Sequence, residues 1–67
     1  MKTTADFKIG DEVLTLTIPA EKEAEYRTIE QKLDKLFRDY QKKCPGFSKE
    51  RIYAITLFTY AIEKDGL

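Results

Sequence analysis

Apolar residues recur at heptad spacing through the stretch from residue 21 to residue 44. They follow one another at intervals of three and four residues, which is typical of a helix with one apolar stripe. The positions of this seam are Tyr26, Ile29, Leu33, Leu36 and Tyr40. Most residues between them are charged or carry amides, so the other side of the helix is predicted to face water. Pro19 before the stretch and Pro45-Gly46 after it place the helix at about residues 20–44.

The length of this helix predicts a partner. At 1.5 Å per residue it would be about 37 Å long. A compact globule built from a chain of this length has a diameter of only about 28 Å. The helix therefore extends beyond any core that its own chain can form. A second copy is the simplest cover for the remaining apolar stripe.

A different periodicity precedes the helix. Phe7 and Ile9, then Leu14, Leu16 and Ile18, alternate with polar residues, which is typical of half-buried strands. Gly10-Asp11 between the two runs is a dipeptide that favours a tight hairpin turn. The sequence predicts a β-hairpin at about residues 6–18, and residues 1–4 are expected to be a poorly ordered start.

A second helix is predicted at about residues 49–64, with Ser48 as its N-cap. It is apolar around most of its circumference, and a chain this short has too little protein to surround it. Tyr53 and Tyr60 are accordingly expected at a subunit interface. The predicted fold is one α+β domain over residues 1–67, an obligate dimer. The expected interface residues are Tyr26, Ile29, Leu33, Leu36, Tyr40, Ile52, Ile55, Leu57, Phe58, Ala61 and Ile62.

Composition limits the function. Twelve basic and twelve acidic residues balance, so nucleic acid is not an expected partner. The chain contains no His, and its single Cys44 allows neither an internal disulfide nor a zinc site. We therefore expect no catalysis, metal or cofactor. No run of apolar residues is long enough to span a membrane and the N-terminus does not resemble an export signal, which indicates the cytoplasm.

The order of these features resembles the N-terminal head of ZapA-type bacterial cell-division proteins. The resemblance covers about residues 6–64 and lies in several weak motifs in sequence: Ile9-Gly10, Ile18-Pro19, an acidic helix start, Tyr26, the seam, Ser48-x-Glu50-Arg51, and Ile52-Tyr53-Ala54-Ile55-Thr56-Leu57. The chain differs from the family pattern at its acidic hairpin turn, Asp11-Glu12.

The resemblance implies a non-enzymatic scaffold that dimerises through its helices. In the family, the second helix normally runs on into a coiled coil that joins two dimers into a tetramer, and a tetramer is expected here only if the second helix continues in that way. Such a tetramer binds the tubulin-like protein FtsZ and cross-links its filaments at the midcell division ring. By position, the residues implied in that contact are Lys8, Asp11, Arg27, Lys35, Arg38 and Lys42.

The alternative is a ribbon-helix-helix DNA-binding dimer, or a small dimerisation or antitoxin module. Ribbon-helix-helix proteins bring one strand per chain into the major groove. This chain has two predicted strands and no excess of Lys and Arg for phosphate contacts, both of which weigh against DNA binding.

Overall fold

The chain forms a hairpin followed by two helices. The structure, a computed structural model, describes residues 1–66. Its elements are β1 (Lys2–Ile9), β2 (Glu12–Pro19), a 3₁₀ turn (Ala20–Lys22), α1 (Glu23–Lys43) and α2 (Lys49–Asp65). This order confirms the predicted α+β arrangement.

The hairpin is longer than the sequence pattern predicted. β1 and β2 pair antiparallel from Lys2 opposite Pro19 to Ile9 opposite Glu12. The amide of Ala20 also donates to the carbonyl of Met1 at 2.8 Å. The expectation of a poorly ordered start is therefore wrong, because residues 2–4 have backbone partners on β2.

Each helix has the terminal signals that its sequence suggested. α1 begins at Glu23 rather than near residue 20, because the chain leaves β2 through the 3₁₀ turn. Acidic residues occupy the first turn of α1 and Lys42 and Lys43 its last, where each favours the helix dipole. The Ser48 hydroxyl accepts from the amide of Arg51 at 3.3 Å, which confirms the predicted N-cap of α2.

Two small clusters form the interior of the chain. Ala5, Phe7 and Ile18 are buried in the hairpin, with Tyr26 of α1 packed against them. Phe37 of α1 and, on α2, Ile52 and Thr56 are also buried. The molecule measures 43 × 27 × 14 Å, so it is a flat, elongated body rather than a sphere. Only Phe37 is fully buried along the 21 residues of α1, and most of the predicted seam is half-buried.

Candidate protein-interaction site

The hairpin turn is fixed to both helices. The amide of Gly10 donates to the Asp34 carboxylate on α1 at 2.8 Å. On α2, the Tyr53 hydroxyl accepts from the amide of Asp11 and donates to the carbonyl of Ile9, both at 3.0 Å. The turn is therefore part of the packed structure and not a projecting tip.

Only glycine fits at position 10 of this turn. Its φ of +61° lies in the left-handed region that side chains disfavour. A Cβ added there would lie 2.8 Å from both the Phe37 ring and the Tyr53 hydroxyl. Those two rings are themselves in contact, with their centroids 4.4 Å apart. The turn thus lies directly on an aromatic pair that joins α1 to α2.

Side chains of α1 cover the outer edge of β1. The Glu30 carboxylate accepts from the amide of Lys8 at 2.6 Å, and the Arg27 guanidinium donates to the carbonyl of Asp6. Arg27 also lies over the ring of Phe7, with its central carbon 4.5 Å from the ring centroid. These contacts occupy the amide of Lys8 and the carbonyl of Asp6 on the outer edge of β1.

Two ion pairs lie beside the turn. Arg38 donates to Asp34 at 2.8 Å, and this bond lowers the pKa of Asp34, with a further contribution from the Gly10 amide. Lys49 of α2 lies 2.8 Å from Asp11, and this hydrogen bond lowers the pKa of Asp11. Both carboxylates therefore stay ionised while they hold the turn against the helices.

The residues predicted to contact a filament fall into two groups. Asp11, Arg27 and Arg38 are already bonded within the chain. Lys35 and Lys42 are exposed, and in the described part of the chain neither forms a salt bridge. By helical spacing they lie on the same side of α1 as Arg38 and the exposed Asp39, so three of these four charged residues are basic. Lys8 has an exposed side chain near the turn, although its amide is bonded to Glu30.

An open apolar groove runs between β2, α1 and the first turns of α2. Two adjoining cavities share Ile9, Leu14 and Leu33 and so form one continuous groove. The side chains that line it are almost all apolar: Phe7, Ile9, Glu12, Leu14, Leu16, Tyr26, Ile29, Glu30, Leu33, Tyr53, Thr56 and Leu57. Leu14 and Leu16 are each 46% exposed, although both lie on the face of the sheet that carries the core residues.

The predicted interface residues are divided between this groove and the two helices. Tyr26, Ile29 and Leu33 line the groove, together with Leu57. Further residues are half-buried along the helices: Leu36, Tyr40, Ile55 and Ile62. Phe58 and Ala61 are exposed on the outer side of α2.

Ile52 differs from the rest because it is only 2% exposed in a single chain. It supports the packing of α2 within the chain and has almost no surface to offer a second copy. Tyr40 also has a partner within the chain, since its hydroxyl lies 2.8 Å from the Thr59 hydroxyl.

The sequence did not indicate the roles of Phe37, Asp34 and Tyr53. Phe37 is not one of the five seam residues, yet it is the most buried hydrophobic side chain of α1. Tyr53 was expected at a subunit interface, but its hydroxyl is bonded to the hairpin turn. The Thr56 hydroxyl is buried beside the groove and has no hydrogen-bond partner among the described residues, which periodicity does not reveal.

Within residues 1–66, no group of three or more metal-ligating side chains is brought together. No helix in that same range is both long and apolar enough to cross a membrane. A family model described as "Cell division protein ZapA" matches residues 6–65, nearly the whole chain. A search of curated proteins and a search of solved structures each found no match.

Proposed function

The chain belongs to the ZapA family of cell division proteins, and from this premise we propose that it is a non-enzymatic scaffold that binds FtsZ filaments. In this proposal two copies form a dimer in the cytoplasm, and the dimer brings filaments together at the division ring. The observation that carries the proposal is the separation of two surfaces on one chain. One is open and apolar, and the other is exposed and basic.

The apolar surface supports dimerisation. Leu57 and Phe58 are 65% and 69% exposed in a single chain, and Leu14 and Leu16 lie at the open side of the groove. Exposed apolar patches of this kind usually mark protein interfaces. A second copy is the occupant that a chain too small to complete its own core requires.

The basic side of α1 supports filament binding. Lys35 and Lys42 have no salt bridge within residues 1–66, so their charges are available to an acidic protein surface. Arg38 lies between them, although it already binds Asp34. This surface lies on the solvated side of the helix, opposite the seam, so a dimer leaves it open.

Co-sedimentation with FtsZ filaments tests the proposal. The chain should pellet with filaments, and the Lys35→Glu, Lys42→Glu double variant should bind them with a dissociation constant at least about tenfold higher, which corresponds to about 1.4 kcal/mol. Lys2→Glu, Lys64→Glu is the matched control, because both lysines are exposed and lie away from this side of α1. If both double variants lost the same amount of binding, the contact would depend only on net charge. That result would overturn the assignment to α1.

The DNA-binding alternative is not favoured. The two strands of the chain pair with each other in a hairpin, whereas a ribbon-helix-helix protein contributes a single strand per chain. The family match also places the chain among cell division proteins. Binding to duplex DNA that weakens steeply with salt would revive this alternative.

A further inference from the structure

The two edges of the hairpin differ in whether their outward-pointing backbone groups are bonded to other parts of the chain. In an antiparallel pair, residues opposite one another alternate between bonding across the pair and pointing their amides and carbonyls outward. Asp6 and Lys8 point outward, since their groups bond to Arg27 and Glu30 of α1. Their partners on β2 are Thr15 and Val13. These residues therefore also point outward, away from β1.

The outward groups of β2 have no cover. They belong to Val13, Thr15 and Thr17, which we call the free edge. In the described part of the chain, none of these residues has a backbone hydrogen bond to α1, α2 or a loop. α1 packs along β1 and scarcely touches β2. Proteins usually protect such an edge with lysine, proline or a bulge. Between residues 13 and 18 this strand carries no charge and no proline.

We propose that two copies pair their free edges antiparallel about a twofold axis at Thr15, joining their hairpins into one four-stranded sheet. The inference rests on the dimer proposed above and specifies how its two chains meet. Thr15 then lies opposite the partner's Thr15, and Val13 lies opposite the partner's Thr17. All are outward-pointing residues, so this register forms about six backbone hydrogen bonds.

The same register covers the apolar side chains of β2. Leu14 lies opposite the partner's Leu16 in a non-hydrogen-bonded pair, where side chains approach most closely. Both leucines lie on the groove face of the sheet, so the two grooves meet beneath the joined strands. A shift of the pairing by one residue would instead put Leu14 opposite a threonine of the partner. The outward-pointing amides and carbonyls of the two strands would then no longer face each other.

Charge and symmetry favour a second copy over an unrelated extended segment. The strand brings only Glu12 to the junction, and in this register Glu12 lies opposite the partner's Ile18, so like charges do not meet. Thr15 has a leucine on each side, and beyond these leucines lie a valine on one side and a threonine of similar shape on the other. A strand with this inverted similarity is complementary to itself about a twofold axis.

Disulfide trapping tests the pairing. In a Cys44→Ser background, Thr15→Cys places two thiols on the axis, with Cα atoms about 5.5 Å apart in a hydrogen-bonded pair, within disulfide range. Mild oxidation should convert most of this variant to a covalent dimer. Thr4→Cys is the matched control, because Thr4 is an exposed threonine on the other edge of the same hairpin. It should remain a monomer on a denaturing gel.

Amide hydrogen exchange on the unmodified chain gives a second measurement. The amides of Val13, Thr15 and Thr17 should exchange as slowly as those of Leu14 and Leu16, which are bonded within the hairpin. Light scattering on the same sample separates the possible failures. A stable dimer with fast exchange and no Thr15 cross-link would overturn the strand pairing and leave the dimer standing. A monomer at all concentrations would overturn both. Slow exchange only after another protein is added would assign the edge to that protein and overturn the self-pairing.

Discussion

The Tyr53 hydroxyl lies 3.0 Å from the carbonyl oxygen of Ile9, a residue 44 positions earlier in the chain. This single bond joins the first turns of α2 to the end of β1. The same hydroxyl accepts from the amide of Asp11, so it spans the turn from both sides. We therefore expect the hairpin and the helical pair to unfold together, so that changes at the turn destabilise the whole domain.

Substitution of the three glycines by alanine separates backbone strain from steric overlap. Gly46→Ala should change the free energy of unfolding by less than about 0.5 kcal/mol, because its Cβ meets no atom within 4 Å. Gly66→Ala also enters open space, but its φ of +73° should cost about 1 kcal/mol. Gly10→Ala combines strain with overlap at 2.8 Å and should cost about 2–5 kcal/mol.

Urea unfolding at one fixed protein concentration measures this series, because a dimer's apparent stability depends on concentration. A Gly10→Ala variant no less stable than Gly66→Ala would show that the turn does not rest on the Phe37 and Tyr53 rings.

Tyr53→Phe removes the hydroxyl and keeps the ring. The Ile9 carbonyl and the Asp11 amide lose their common partner, so we expect a loss of about 1–2 kcal/mol in the free energy of unfolding. Tyr60→Phe on the same helix is the control and should lose less. Hydrogen exchange at Asp11 gives the specific readout, since faster exchange there reports release of the turn rather than general weakening.

Because of Asp34, the free energy of unfolding should fall as the pH becomes acidic. Its hydrogen bond with Arg38 lowers its pKa in the folded chain. The stabilisation from this group is therefore fully present above its unfolded value of about 4, and it is lost as the pH falls through the folded pKa. Asp34→Asn should be less stable than the parent at neutral pH and should lose less stability on acidification. Unfolding curves at neutral pH and at about pH 3 test this.

Asp39→Asn, an exposed residue of the same helix, is the control for the acid experiment. If it flattened the pH dependence as much as Asp34→Asn did, the effect would belong to the net charge of α1 and not to the turn.

Leu57→Asp tests the apolar surface. In a single chain Leu57 is 65% exposed, so a charge there costs little in the monomer. Burial of that charge in a dimer costs several kcal/mol, and we expect the dissociation constant to rise at least about a hundredfold. Light scattering over a dilution series measures it. Phe47→Asp, at an exposed aromatic outside the groove, should dimerise like the parent.

The sequence predicted the features that depend on local chemistry. Gly10-Asp11 at the turn, the Ser48 cap and the proline-bounded α1 are all present, because each is determined by residues within a few positions. The start of β1 was missed because Lys2, Thr3 and Thr4 are polar. Their strand conformation comes from pairing with Thr17, Ile18 and Pro19, not from their own alternation.

The long-range contacts of the turn were beyond the sequence pattern. Asp34 looked like one more charge on a solvated helix face, and its bond to Gly10 spans 24 residues. Tyr53 looked like an interface residue because periodicity shows which side of a helix is apolar, but not which element covers it. Arg38 and Asp11 remain predicted filament contacts, and their ion pairs within the chain are further long-range detail that the sequence pattern did not show.

The side chains that cover part of β1 limit how the sheet can grow by adding strands. Arg27 donates to the carbonyl of Asp6 and Glu30 accepts from the amide of Lys8, so a further strand that paired with this part of β1 would have to displace both side chains. When two free edges join as proposed above, the outer strands of the sheet are the two β1 strands, and a third chain meets Arg27 and Glu30 there. Such cover on an outer strand disfavours polymerisation of the protein through strand pairing. Loss of Glu30 would remove one of these two contacts and leave the Lys8 amide free to pair with a further strand.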